Sequence, residues 1–347
     1  MKKRLADIGI MLFTTFIMLL ICELVIRFFF PQILAPVKFS YDKDMGLRHV
    51  PFLKGKESYP GVYDFKFTNG EDGFRETHKG ELPKFINKKL MLLGDSFTYG
   101  KGVNDNETYA YGVQAGILKD SAQIINAGVE GRGTDYCLRA YQFYKDKYQP
   151  NTVIYFAHYN DLADNIRDEY YEIVNDSTLT AKSFAKLTGG KKEKLQKSKV
   201  YNWLISHSHF FAMLKGVLVG ILMKDQVITY DAKFDIDKAK KETTVYLNQL
   251  IKEVKADGRK FFVYYVPARE DMTERLGKNK QTEQEAFFEK YCTENNVTFH
   301  NFSEDLLNSG LDKNEIIKHF YLLEGHWNKN GHQLASDQLK KDSNGFY

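Results

Sequence analysis

The stretch Lys89-Leu90-Met91-Leu92-Leu93, running directly into Gly94-Asp95-Ser96-Phe97-Thr98-Tyr99-Gly100, decides how this chain is read. A short apolar run that ends at a glycine reads as a buried strand followed by a turn. A serine just past such a strand end, on a glycine-bounded turn that leads into a helix, is where an α/β protein exposes a nucleophile. Two look-alikes fail. A phosphate-binding P-loop needs four residues between its glycines and then Gly-Lys-Ser/Thr, whereas here five residues separate Gly94 from Gly100 and Lys101 is followed by Gly102. The G-x-S-x-G elbow fails at Thr98, which stands where the second glycine should be.

From Lys88 onward, short apolar runs alternate with helical stretches, the mark of a parallel α/β sheet. The predicted strands are 89–93, 123–126, 152–157, 260–266 and 297–302. The predicted helices are 107–118, 135–147, 237–256, 283–294 and 330–341. Such a sheet carries its functional loops at the carboxyl ends of the strands. The main domain is expected at 88–341. Residues 162–235 interrupt its rhythm with a lysine-rich run (186–199) and the largely apolar stretch 201–223. A helical insertion beside the catalytic cleft is expected there. A lid or a membrane-surface contact is the functional alternative. The clean apolar run after Lys215 is too short for a second span.

Upstream, Lys2, Lys3 and Arg4 precede an apolar run from Ile8 to Phe30, long enough to cross a bilayer. Glu23 and Arg27 interrupt it but lie four apart, so they share a helix face and can pair. A cleaved signal peptide lacks its small-residue site, so 8–30 is expected to be an uncleaved signal-anchor. The basic cluster puts residues 1–7 in the cytoplasm. The remaining chain would then lie on the periplasmic or extracellular side of the cytoplasmic membrane. Five of the seven prolines fall within residues 31–83, marking 31–87 as a linker and irregular segment of turns and short strands.

The net charge of the 347 residues is +4, of which residues 1–35 carry +2, so the rest is too nearly neutral for a nucleic-acid binder. With 43% hydrophobic residues, wholesale disorder is excluded as well. Three cysteines make no disulfide framework, and Cys137 and Cys292 read as buried small apolar residues. His207 and His209 point to different helix faces and His332 lacks a metal-binding pattern, so no metal site is expected.

A serine hydroxyl needs a base. Glu324-Gly325-His326-Trp327-Asn328 offers His326 to take the Ser96 proton and Glu324 to hold the imidazole in the right tautomer. Two further strand ends carry Asn126-Ala127-Gly128-Val129-Glu130-Gly131-Arg132-Gly133 and Asn160-Asp161. A backbone N–H from the glycine loop and the asparagine amide could both face an oxyanion.

Together these blocks resemble the SGNH/GDSL hydrolase superfamily, over roughly residues 66–340. Its four name-giving residues match Ser96, Gly131, Asn160 and His326 in order, Gly131 being taken over Gly128 because it lies five after Asn126. Gly73-Phe74-Arg75 ahead of the serine block resembles a membrane-anchored bacterial subgroup. The resemblance implies a three-layer α/β/α sandwich around a mainly parallel five-stranded sheet, the flavodoxin-like SGNH fold. It also implies Ser96 as nucleophile and an oxyanion hole of the Ser96 and Gly131 N–H groups with the Asn160 side chain. No metal or organic cofactor is implied. The sequence departs from the pattern twice: Leu323 stands where the family's acid is usual, leaving Glu324 to substitute, and His158 stands where a glycine is common.

The expected activity is that of a membrane-anchored serine esterase on O-acyl groups, acetyl foremost, of a glycan or lipid. The alternatives are an O-acetyltransferase of an envelope polysaccharide using the same chemistry, or a catalytically silent glycan-binding protein.

Overall fold

The computed structural model describes residues 2–80, 88–118, 122–175, 177–188, 190–222 and 235–346. The chain opens with one long helix, α1 (Lys2–Phe29), which Pro31 terminates by removing a backbone donor. It is long and apolar enough to cross a membrane, and nearly all of it is exposed. Glu23 and Arg27 do pair across one helical turn, at 2.8 Å.

Two antiparallel hairpins follow, β1 (Phe39–Asp42) with β2 (Gly46–His49) and β3 (Lys54–Tyr59) with β4 (Tyr63–Thr68). Strand β4 alternates in burial, and its inward residues Tyr63, Phe65 and Phe67 pack on Tyr99 beside the serine turn. Residues 31–80 thus pack beside the serine turn. The end of the expected linker, 81–87, lies outside the described residues.

The main domain begins at β5 (Lys88–Leu93), then a one-turn helix α2 (Ser96–Tyr99), α3 (Tyr109–Val113), β6 (Ala122–Asn126), α4 (Thr134–Tyr148), β7 (Thr152–His158) and α5 (Asp161–Asp168). A hairpin of β8 (Tyr171–Val174) and β9 (Thr178–Ala181) leads into α6 (Lys191–Gln196), α7 (Lys199–His207) and α8 (His209–Leu222). The chain returns through α9 (Ile236–Ala256), β10 (Lys260–Val266), α10 (Arg269–Lys278), α11 (Glu283–Glu294), β11 (Thr298–Asn301), α12 (Phe302–Leu307), α13 (Lys313–Phe320) and α14 (Lys329–Asp342).

Five strands form one parallel sheet in the order β11-β10-β7-β5-β6. Because side chains alternate along a strand, each strand feeds two cores. Met91 and Leu93 face the core under α4, α9 and α11, which also holds Cys137 and Cys292, both free thiols. Leu90 and Leu92 face the core under α3, α12, α13 and α14 around Trp327. Each large apolar side chain so buried contributes about 1.5–3 kcal/mol. The architecture is the expected three-layer α/β/α sandwich.

One helix departs from expectation. The predicted run 107–118 is a 3₁₀ turn, then α3, then a wider turn over Gln114–Leu118. Thr108 Oγ1 accepts the Tyr111 N–H and starts α3 afresh. The Gln114 side chain reaches the sheet edge instead, donating to Ala122 O and accepting from Ile124 N, each at 2.7 Å.

Candidate active site

The serine turn follows from its sequence. Gly94 has φ +159°, and a Cβ there would fall 2.2 Å from Thr98 Oγ1, so only glycine leaves the strand at this angle. Asp95 then caps α2, its Oδ1 accepting the Phe97 N–H at 2.9 Å. Gly100 closes the turn in the left-handed conformation. Ser96 is therefore the first residue of a single helical turn at the carboxyl end of β5, near the middle of the sheet.

His326 comes from the other end of the chain. Its Nε2 lies 2.7 Å from Ser96 Oγ. Glu324 Oε2 accepts from the His326 backbone N–H at 2.7 Å and lies 3.0 Å from Nδ1. A carboxylate on Nδ1 makes that nitrogen the donor and leaves Nε2 to accept the serine proton. Burial pushes the Glu324 carboxyl up, but the hydrogen bonds from the His326 ring and backbone and the Lys101 charge outweigh it, holding it below the usual carboxylate value. Leu323, at the family's usual acid position, turns its side chain 70% into solvent. The Phe97 ring stacks on the His326 imidazole, with centroids 4.8 Å apart.

The other two expected residues are held one step away from the serine. Asn160 Nδ2 donates to Asp164 Oδ2 at 2.7 Å, while its Oδ1 meets His158 Nδ1. Arg167 ties the two blocks together: Nη1 pairs with Asp164 Oδ1 at 2.7 Å and Nη2 donates to Gly131 O at 2.5 Å. Each amide nitrogen has two protons, so Asn160 keeps one to offer an oxyanion. Gly131 sits at φ +63°, and a Cβ there would meet Arg167 Nη2 at 3.9 Å. Gly128 does a different job. A Cβ there would fall 2.5 Å from Tyr99 N, so its hydrogen side chain lets the glycine loop lie against α2.

Three residues were given no role at the site by the sequence reading. His158 Nδ1 lies 3.2 Å from Asp95 Oδ2, and burial holds this imidazole below the usual histidine value despite the Asp95 charge. It joins the serine turn to Asn160 as a positioning side chain. Arg75, read only as part of a motif, is buried and braces the far side of the turn. It donates to Gly100 O and Val103 O, each at 2.8 Å, and pairs with Asp105 at 2.7 Å. Third, Lys38 from the N-terminal segment is buried between Glu57 and Glu130, its Nζ 2.5 Å from Glu130 Oε1, next to Gly131. The sole signal for it was its place in a segment that the proline count had marked as a linker.

Among the described residues, no group of three or more His, Cys, Asp or Glu side chains is placed to hold a metal ion. His209 Nδ1 instead accepts the Gln32 backbone N–H.

These parts make a three-layer α/β/α fold with a hydrogen-bonded Ser–His–Glu chain at the carboxyl ends of its strands. No protein-family model matches the chain, and no curated protein sequence matches it. Among solved structures, it is similar to a psychrotrophic esterase from Pseudoalteromonas sp., at 15% identity and a TM-score of 0.39, over 75% of this chain and 98% of that one. It is also similar to a GDSL-like lipase from Bacteroides thetaiotaomicron (12% identity, TM-score 0.41, 76% and 92% covered). A lipase/acylhydrolase from Enterococcus faecalis is a third (15%, TM-score 0.41, 74% and 96%). Likeness at this level does not carry function, which is argued from the Ser96–His326–Glu324 geometry instead.

Proposed function

We propose that this chain is a serine esterase anchored by α1 in the cytoplasmic membrane, with its catalytic domain on the outer side, acting on O-acyl esters of an envelope glycan or lipid. The observation that carries the reading is the 2.7 Å contact between Ser96 Oγ and His326 Nε2, with Glu324 behind Nδ1. Ser96 Oγ attacks the ester carbonyl as His326 Nε2 takes its proton, and the carbonyl π electrons move onto oxygen. The Ser96 and Gly131 N–H groups and the free Asn160 N–H hold that oxyanion. The intermediate collapses, the alcohol leaves with the proton from His326, and the acyl group stays on Ser96. Water, deprotonated by His326, then releases the carboxylic acid.

Acetyl is the simplest acyl group for a serine so closely hemmed by Phe97, Asp95 and His326. The test is release of p-nitrophenol from acetyl and longer esters by the full chain in detergent, beside Ser96→Ala. Hydrolysis lost in the variant supports the reading, with acetyl preferred. Equal hydrolysis by both removes Ser96 as nucleophile. Acyl transfer to a sugar hydroxyl without hydrolysis would replace the esterase by an acyltransferase.

A further inference from the structure

Helix α8 is out of place in a water-soluble fold. It reads His-Phe-Phe-Ala-Met-Leu-Lys-Gly-Val-Leu-Val-Gly-Ile-Leu, and Lys215 is the only charge among its residues. Helices that are apolar all round are buried or lie in lipid. Yet Leu214, Val217, Leu218 and Ile221 are all exposed.

What lies beside it is α1. The bend of 105° between α7 and α8 falls at Ser208. It is pinned to the outer turns of α1 by both members of the Glu23–Arg27 pair. Glu23 accepts from Ser208 Oγ at 2.7 Å, Phe210 N at 2.9 Å and His209 N at 3.2 Å, capping α8. Arg27 Nη2 donates to His207 O at 3.4 Å. Two charges that read as a defect in an anchor are thus the bracket that fixes a second apolar element at one depth. On α7, one turn from that bracket, Trp203 is exposed, and aromatic rings of this kind favour the headgroup level.

We propose that α7 and α8 are seated in the bilayer interface beside α1. At 14 residues α8 is about 21 Å long, too short to cross the hydrocarbon core, so it lies on the membrane and does not span it. Lys215, the one charge on α8, lines a cavity whose other walls include Lys38 and Glu57. Its neighbours Ala212, Gly216 and Val219 line the same 480 Å³ cavity, as do Lys101, just past the serine turn, and Glu130 of the glycine loop. The seat therefore holds the loops that flank the serine turn toward the membrane surface, where the substrates would be esters presented at that surface. This rests on the reading of α1 as an anchor.

The chain holds two tryptophans, Trp203 and Trp327, and Trp327 is fully buried. This makes Trp203 a reporter in the unmodified protein. The full chain is placed in phosphatidylcholine–phosphatidylglycerol vesicles, with plain or brominated acyl chains, and its insertion is checked by flotation. Trp203 emission is expected to fall roughly two-fold in brominated vesicles, an effect lost in Trp203→Phe. Leu218→Trp in the Trp203→Phe background is expected to be quenched as strongly.

Floating protein whose Trp203 and Leu218→Trp probes are both unquenched overturns the proposal while leaving the anchor intact. Unquenched probes that are also shielded from acrylamide would put a second copy of the chain on α8, and that overturns it too. Protein that does not float overturns the anchor reading itself. Hydrolysis of a soluble acetyl ester, followed on the same samples, reports on the esterase independently.

Discussion

His326 Nε2 lies 2.7 Å from Ser96 Oγ across 230 residues of sequence, and Glu324 reaches both the ring and the backbone of that histidine. Both bonds end on one oxygen, Oε2. A glutamine at 324 could keep them through its carbonyl while losing the charge that stabilises the imidazolium. Glu324→Gln is therefore expected to cost about 10²-fold in kcat, and His326→Ala about 10⁴-fold or more. Because the Glu324 carboxyl is held below the usual 4.5, its charge is in place above that pH and is lost only as pH falls beneath it. Equal losses in the two variants would make the charge, and not merely the tautomer, indispensable.

Asn160 and Gly131 are held through Asp164 and Arg167. Asn160→Ala is expected to lower kcat by about 10²-fold with little change in KM, since an oxyanion forms only in the transition state. Arg167→Ala is expected to move kcat in the same direction by a smaller factor. A rise in KM alone would place Asn160 in substrate binding instead.

The Lys38–Glu130 pair fastens the N-terminal layer to the glycine loop, and both side chains are largely buried. Lys38 is shared with Glu57, so removing Lys38 strands two buried carboxylates without their common cation. Lys38→Met is expected to destabilise the fold by about 3 kcal/mol, measured by denaturant unfolding. The double variant Lys38→Met, Glu130→Leu should recover part of that. No recovery would mean that the two charges act separately.

Asp271 is expected to give the protein a pH-dependent stability. It is buried with one oxygen on Tyr265 Oη at 2.7 Å, and burial pushes its carboxyl up from 3.8 to about 7. The folded state holds this proton longer than the unfolded chain does. Its contribution is therefore full below pH 3.8 and drains away as pH rises to about 7. Asp271→Asn cannot lose the proton, so its unfolding free energy should fall between pH 4 and 7 by roughly 3 kcal/mol less than that of the unmodified chain. Parallel curves for the two proteins would show that Asp271 is ionised throughout.

The central sheet was legible because buried parallel strands are near-continuous apolar runs. Lys260–Val266 has the bounds read from sequence, and the other four strands differ by a residue or two at their ends. Helix α5 and helices α10, α12 and α13 were not anticipated. Each is only six to ten residues long and is set by local caps, such as Asn301 on Ser303 N and Asp312 on Asn314 N, too brief to show a period. At the site, Ser96 and His326 stood out because their local sequences are constrained by turns. Arg75 and Lys38 did not, because Arg75 braces Gly100 25 residues away and Lys38 pairs with Glu130 92 residues away. Glu23 and Arg27 were read as a pair within α1. Their grip on Ser208 and His207 is a tertiary contact that no local pattern encodes.

The most direct test of the account is where an electrophile lands. The full chain is treated with a fluorophosphonate, which labels an activated serine hydroxyl, and the modified peptide is located by mass spectrometry. A single adduct on Ser96, absent in His326→Ala under the same conditions, is the predicted result. Absence of an adduct on a folded chain, or labelling of Ser96 that persists undiminished without His326, would contradict it.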